Sequence, residues 1–159
     1  MRKTNQRLLS IALSFFLLGF SALSFSNENI NISDVWISEA PPTVSIMAAY
    51  ARLENTSKEK QTLVSISSTN FSNVELHLSK IVDGMARMEK QQTLTIPAND
   101  FIELSPGTYH LMLFNPKVPL KAGDTTTITF TFADVVSTTV EAIVKKRNNN
   151  SHEHHHHNH

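Results

Sequence analysis

Beyond residue 26, apolar and polar positions alternate in short runs with a period of two, and no long helical period appears. Side chains of a strand leave alternate faces with that period, so the pattern predicts strand after strand. The predicted strands are 31–38, 45–54, 61–68, 74–80, a short pair within 88–95, 101–104, 109–114, 125–132 and 138–144, all rich in Val, Ile, Thr and Phe. Between them stand Pro41-Pro42, Asn55-Thr56-Ser57, Asp83-Gly84, Pro97-Ala98-Asn99-Asp100, Ser105-Pro106-Gly107 and Ala122-Gly123-Asp124, residue types that favour turns. About eight short strands in one small unit predict an all-β Greek-key sandwich or barrel.

The ends of the chain read differently. Residues 1–26 combine a basic start (Arg2, Lys3, Arg7), an apolar run from Leu8 to Leu23 and small residues near its end. This is the plan of a secretory signal peptide, with cleavage expected after Ser24 or Ser26. The run is short for a span of about 20 residues and is broken by Ser10, Ser14 and Ser21, so no membrane span is expected after cleavage. Residues 27–146 then form a single β-domain, expected to be a monomer. Residues 147–159 are polar and cannot bury enough apolar surface to fold alone, so they are read as a disordered tail.

Charge and cysteine content narrow the function. The leader holds three of the 14 basic residues and none of the 14 acidic ones, leaving 11 against 14 and a net charge of −3 in the remainder. A nucleic-acid partner is not expected from such a balance. Cysteine is absent, so the domain rests on its core instead of disulfides, and both a thiol reductase and a blue-copper electron carrier lack their essential thiolate. No Gly-x-Ser-x-Gly elbow is present, and neither cleavage site leaves a histidine at the mature terminus. The chain is therefore not expected to be an enzyme.

What remains is a set of soft donors. Outside the tail the chain has two histidines, His77 and His110, and they stand in the series His77, ten residues, Met88, twenty-one residues, His110-Leu111-Met112. Singly, each has an ordinary explanation, a core filler for methionine and a hydrogen-bonded surface residue for histidine. Together they fall on the right faces. In Val74-Glu75-Leu76-His77-Leu78 the apolar residues share one side and Glu75 and His77 the other; in Tyr109-His110-Leu111-Met112-Leu113, His110 and Met112 project together away from the core. Met88 follows the Asp83-Gly84 turn, in a segment expected to be a loop or hairpin that folds over the same end. Imidazole and thioether donors without carboxylate or thiolate suit Cu(I) better than zinc, magnesium or calcium.

These residues carry a resemblance. The spacing of His77, Met88, His110 and Met112, with Val-Glu-Leu-His and Asp-Gly-Met-Ala-Arg-Met around the first two, resembles the periplasmic copper chaperone family PCu(A)C. Ala48-Ala49-Tyr50, Glu54-Asn55 and Leu104-Ser105-Pro106-Gly107 also look like that family, so the likeness runs from about Ile32 to Val144. The resemblance implies a cupredoxin-like fold, one Cu(I) held by His77, Met88, His110 and Met112, a periplasmic location, and delivery of copper to the copper centre of cytochrome c oxidase or to another exported copper protein. Many members carry Met directly after the first histidine, where this chain has Leu78, a position that alternation turns towards the core. Storage or resistance to copper would use the same donors, and a β-sandwich binding module without metal is the rival outside metal chemistry.

The tail adds a second candidate site. His152, His154, His155, His156, His157 and His159 crowd one short segment, and several imidazoles on a flexible chain can wrap a Cu(II) ion. Glu153 and Asn158 interrupt the run, which sets it apart from an unbroken purification tag.

Overall fold

A computed structural model describes residues 29–134 and 137–146; the expected leader and the histidine-rich tail lie outside the described residues. Ten strands follow one another: β1 (Ile30–Ser38), β2 (Ile46–Asn55), β3 (Gln61–Ser67), β4 (Phe71–Val82), β5 (Met85–Gln91), β6 (Leu94–Ile96), β7 (Asp100–Leu104), β8 (Tyr109–Pro116), β9 (Thr125–Phe132) and β10 (Ser137–Lys145). Every predicted strand is present, and 125–132 has the expected bounds. The largest difference is β4 with β5, a longer hairpin than expected.

The strands hydrogen-bond in the order β5-β4-β8-β2-β1-β10-β9-β3-β6, and β7 also pairs with β2. Neighbours such as β4 and β8, or β3 and β9, are far apart in sequence, so long crossover connections link the strands of one ten-stranded sheet. All pairings are antiparallel except β1 with β10. One core joins the strands from β4 to β6: Val74 and Leu76 of β4, Leu111 and Leu113 of β8, Ile128, Phe130 and Phe132 of β9, and Leu94 and Ile96 of β6. Truncating a buried phenylalanine such as Phe130 to alanine costs about 3–5 kcal/mol in cores of this kind.

Two local devices set which residues face outward. In β1 the apolar positions Ile30, Ile32, Val35 and Ile37 skip from even to odd numbers, and the pairing with β2 slips by one residue between Ser33 and Trp36. Asp34 takes up this bulge at φ 53°, a left-handed conformation that aspartate tolerates better than branched residues. As a result Trp36 lies opposite Tyr50, their rings 4.5 Å apart, while Ile37 enters the core. Between β4 and β5, Asp83 and Gly84 both have positive φ (53° and 75°) and link the pair Val82 and Met85. Both central residues of a two-residue type I′ hairpin need that conformation, which is why Asp-Gly is found there.

A third device places β8. β2 pairs with β7 through residues 51–55 and with β8 through residues 46–49, so β7 and β8 run end to end along one strand. Ser105 and Thr108 close the turn between them, with Thr108 N donating to Ser105 O at 3.1 Å and Ser105 N to Tyr109 O at 2.8 Å. This turn feeds β8 into the slot between β2 and β4.

Candidate metal centre

The candidate donors lie on three neighbouring strands, β5, β4 and β8. Antiparallel register puts His77 directly opposite His110, Glu75 opposite Met112, Ser79 opposite Met88 and His77 opposite Lys90. Residues in register share a face, so all four donors project from the side opposite Val74, Leu76, Leu111 and Leu113. The histidine rings are 6.0 Å apart and tilted by 34°. Met112 and Met88 are diagonal neighbours of His77, one from each flanking strand, and diagonal pairs remain within reach of long side chains.

Of the loop or hairpin expected around Met88, the structure has the hairpin: Met88 belongs to β5, in full register with β4, because the two-residue turn at Asp83-Gly84 lets pairing begin at once. His110 leaves the core face as alternation demands, yet only 7% of it is accessible, because β8 is an interior strand flanked by β4 and β2. His77 is nearly as covered, Met112 is half-buried, and Met88 on the edge strand is 62% exposed. Leu78 lies on the core-side face opposite Tyr109, as expected, and is half-buried.

Polar partners orient both rings. His77 Nε2 is 2.9 Å from Glu75 Oε2, and His110 Nδ1 is 3.0 Å from the carbonyl oxygen of Thr108. Glu75 also accepts from Lys90 Nζ at 2.6 Å and from Asn73 Nδ2 at 2.9 Å. The hydrogen bond from Lys90, then that from His77, hold the Glu75 carboxyl down from its usual 4.5 to about 2, against the opposing effect of burial. Glu75, Lys90 and Thr108 were not among the site residues expected from sequence. A signal for Glu75 was present, since it stands two residues before His77 and so on the same face.

One atom is left over. His77 Nδ1 is buried with no hydrogen-bond partner among the described residues. A buried polar atom left unpaired costs on the order of 1–3 kcal/mol, and a metal ion would satisfy its lone pair. Among the described residues no three His, Asp, Glu or Cys side chains gather as a metal cage, so an ion bound here needs the methionine sulfurs as well as the imidazoles.

The LpqE-like sequence family, described as "Putative lipoprotein LpqE-like", matches residues 30–144, from the first strand to the last. The chain belongs to this family. The Rickettsia prowazekii protein RP573 is 36% identical over 102 residues, 60% of this chain, and the match takes in 56% of that relative's length. Among solved structures, the Cu(I) form of DR1885 from Deinococcus radiodurans is 32% identical, with a TM-score of 0.59 over 74% of this chain and 77% of that one. The copper-bound PCuAC domain of PmoF2 superposes with a TM-score of 0.64 over 75% of this chain and 94% of that one; at 18% identity it attests to the fold. The all-β, cupredoxin-like arrangement and the PCu(A)C resemblance read from the sequence thus agree with the fold and family.

Proposed function

We propose that this LpqE-like protein is an exported copper carrier, without catalysis of its own, that holds one Cu(I) between His77, Met88, His110 and Met112 and passes it to a copper-accepting enzyme. The single observation that carries this reading is the presentation of two imidazoles and two thioethers on one face of three adjoining strands, with His77 Nδ1 buried and unpaired among the described residues. Soft thioethers favour the reduced ion, and the relative DR1885 has a Cu(I)-loaded structure. The family's description as lipoproteins and the basic-apolar leader both fit export to the periplasm.

The graded exposure of the donors suits transfer. His110 and His77 are covered and hydrogen-bonded, whereas Met88 stands out on an edge strand where an incoming ligand meets it first. A recipient can then displace thioethers one at a time while the imidazoles keep hold of the ion. The copper centre of cytochrome c oxidase is the proposed recipient, on the resemblance to PCu(A)C.

Copper content and oxidation state of a chain ending near Lys146 test the binding step without interference from the histidine-rich tail. One Cu(I) per chain is expected, and the double variant Met88→Ala/Met112→Ala should lose it; unchanged affinity in that variant removes the assignment. For the role, loaded protein mixed with an apo copper-centre domain should transfer its ion even when a chelator traps free copper. Deletion of the gene should lower oxidase activity at scarce copper and be relieved by added copper. Normal oxidase activity combined with sensitivity to excess copper would replace delivery with storage.

A further inference from the structure

Resting on the Cu(I) site just described, we propose that Glu75, pinned by Lys90, is a positioning residue that sets His77 in its Nε2–H tautomer, so that His77 meets copper through Nδ1 while His110 meets it through Nε2.

An ionised carboxylate can only accept, so the hydrogen in the 2.9 Å contact between His77 and Glu75 belongs to His77 Nε2. In the neutral ring the lone pair is then on Nδ1, the buried atom without a partner. His110 is set the other way. A backbone carbonyl also only accepts, so His110 Nδ1 donates to Thr108 O and the lone pair of the neutral ring is on Nε2. Metal-binding histidines commonly donate their second N–H to a carboxylate or a backbone carbonyl, which fixes ring orientation and raises ligand basicity. This face contains one of each.

Lys90 and Asn73 decide what Glu75 does. Both donate to Oε1, at 2.6 and 2.9 Å, leaving Oε2 for His77. The carboxylate is thus held by donors on β4 and β5 and acts as an acceptor for His77. Lys90 can reach it because the Asp83-Gly84 hairpin sets Lys90 opposite His77. Both carboxylate oxygens are thereby engaged, Oε1 by Lys90 and Asn73 and Oε2 by His77.

Long-range proton–nitrogen correlation spectra of the ¹⁵N-labelled full chain read the tautomer of each ring directly. In the apo protein we expect protonated Nε2 in His77 and protonated Nδ1 in His110. One equivalent of Cu(I) should shift His77 Nδ1 and His110 Nε2. Glu75→Ala should mix the His77 tautomers and lower Cu(I) affinity by about 10–100-fold, the range for loss of such a partner. Glu75→Gln, which retains an acceptor oxygen, should recover part of that loss, and Lys90→Met should fall between it and Glu75→Ala. A purely structural role for Glu75 would leave the His77 tautomer unmoved. Copper-induced shifts at His77 Nε2, or protonated Nδ1 in the apo ring, overturn the proposal and leave the copper site standing. Two rings that ignore Cu(I) overturn both.

Discussion

His77 and His110 face each other directly across β4 and β8, the only histidine pair of the described residues, with ring centroids 6.0 Å apart. Neither position tolerates loss if the pair is the anchor of the site. His77→Ala or His110→Ala should each weaken Cu(I) binding by more than tenfold, about 1.4 kcal/mol. His110→Ala should also lower stability by about 1–2 kcal/mol through loss of the bond to Thr108 O. Met112→Leu, near in volume, should leave stability within about 1.5 kcal/mol and still weaken copper binding. Competition against a coloured Cu(I) chelator, with urea unfolding of the same samples, separates the two effects; full affinity in Met112→Leu would remove that thioether from the ligand set.

The acid response should carry the signature of Glu75. Its carboxyl is held at about 2 in the folded chain, chiefly by Lys90 and then by His77, and returns to about 4.5 on unfolding. Above pH 4.5 both states are ionised and the stabilisation is fully present. As pH falls below 4.5 the unfolded chain takes up the proton first, so stability is lost progressively and is gone below about pH 2. Urea midpoints between pH 6 and pH 2 should therefore decline more steeply for the parent than for Glu75→Gln. Parallel declines would mean that these contacts do not stabilise the folded state, and added salt should shrink any difference because Lys90 is half-exposed.

Much of this architecture was legible because it is local. Alternation alone put Val74 and Leu76 inside and Glu75 and His77 outside, and the turn residues bounded the strands. The Asp83-Gly84 dipeptide determines the register: a two-residue turn pairs Val82 with Met85 and so commits Ser79 to Met88 and His77 to Lys90. The burial of His110 was of another kind. It depends on β8 lying between β4 and β2, a placement made by the turn at Ser105–Thr108 and by pairings between distant segments. The shift of β1 at Asp34 was visible as the step from Ile32 to Val35 but has meaning only against its partner β2.

Asn55 ties the end of β2 to the end of β6 and to Ser57 and Glu59. It is fully buried, donates through Nδ2 to Glu59 O, Ile96 O and Pro97 O, and accepts at Oδ1 from Ser57 N and Oγ. Asn55→Leu removes every one of these bonds, the buried one to Ile96 O included. A loss of about 2–4 kcal/mol is expected, as for other buried polar networks broken on one side. Chemical unfolding checks this, and a loss below about 1 kcal/mol would show that water replaces the side chain.

The tail is a separate proposal, since it lies outside the described residues. A peptide spanning residues 151–159 should bind Cu(II) through its six imidazoles. Free imidazole has a pKa of about 6.5, so protons displace the metal as the solution is acidified through that region. Calorimetric titrations at pH 7.5 and pH 5.5 should show tight and weak binding respectively. Equal binding at both would rule out imidazole ligation.

Met88 should govern release. It is the most exposed of the four donors and sits on β5, which is hydrogen-bonded on one side to β4 and forms the end of the strand order. Exposed substitutions away from packed contacts change stability by no more than about 0.5 kcal/mol, so Met88→Leu should fold as the parent does. On the proposed ligand set, loss of one thioether leaves the two imidazoles and Met112, and most of the lost affinity should appear as faster dissociation, because affinity differences among variants of one site lie mainly in off-rates. Stopped-flow transfer of Cu(I) to excess chelator should therefore be at least several-fold faster in Met88→Leu, while His110→Ala should fail to load under the same conditions. If Met88→Leu instead loads and releases copper at the parental rate, the edge strand takes no part in holding the ion, and the site contracts to the three donors of β4 and β8.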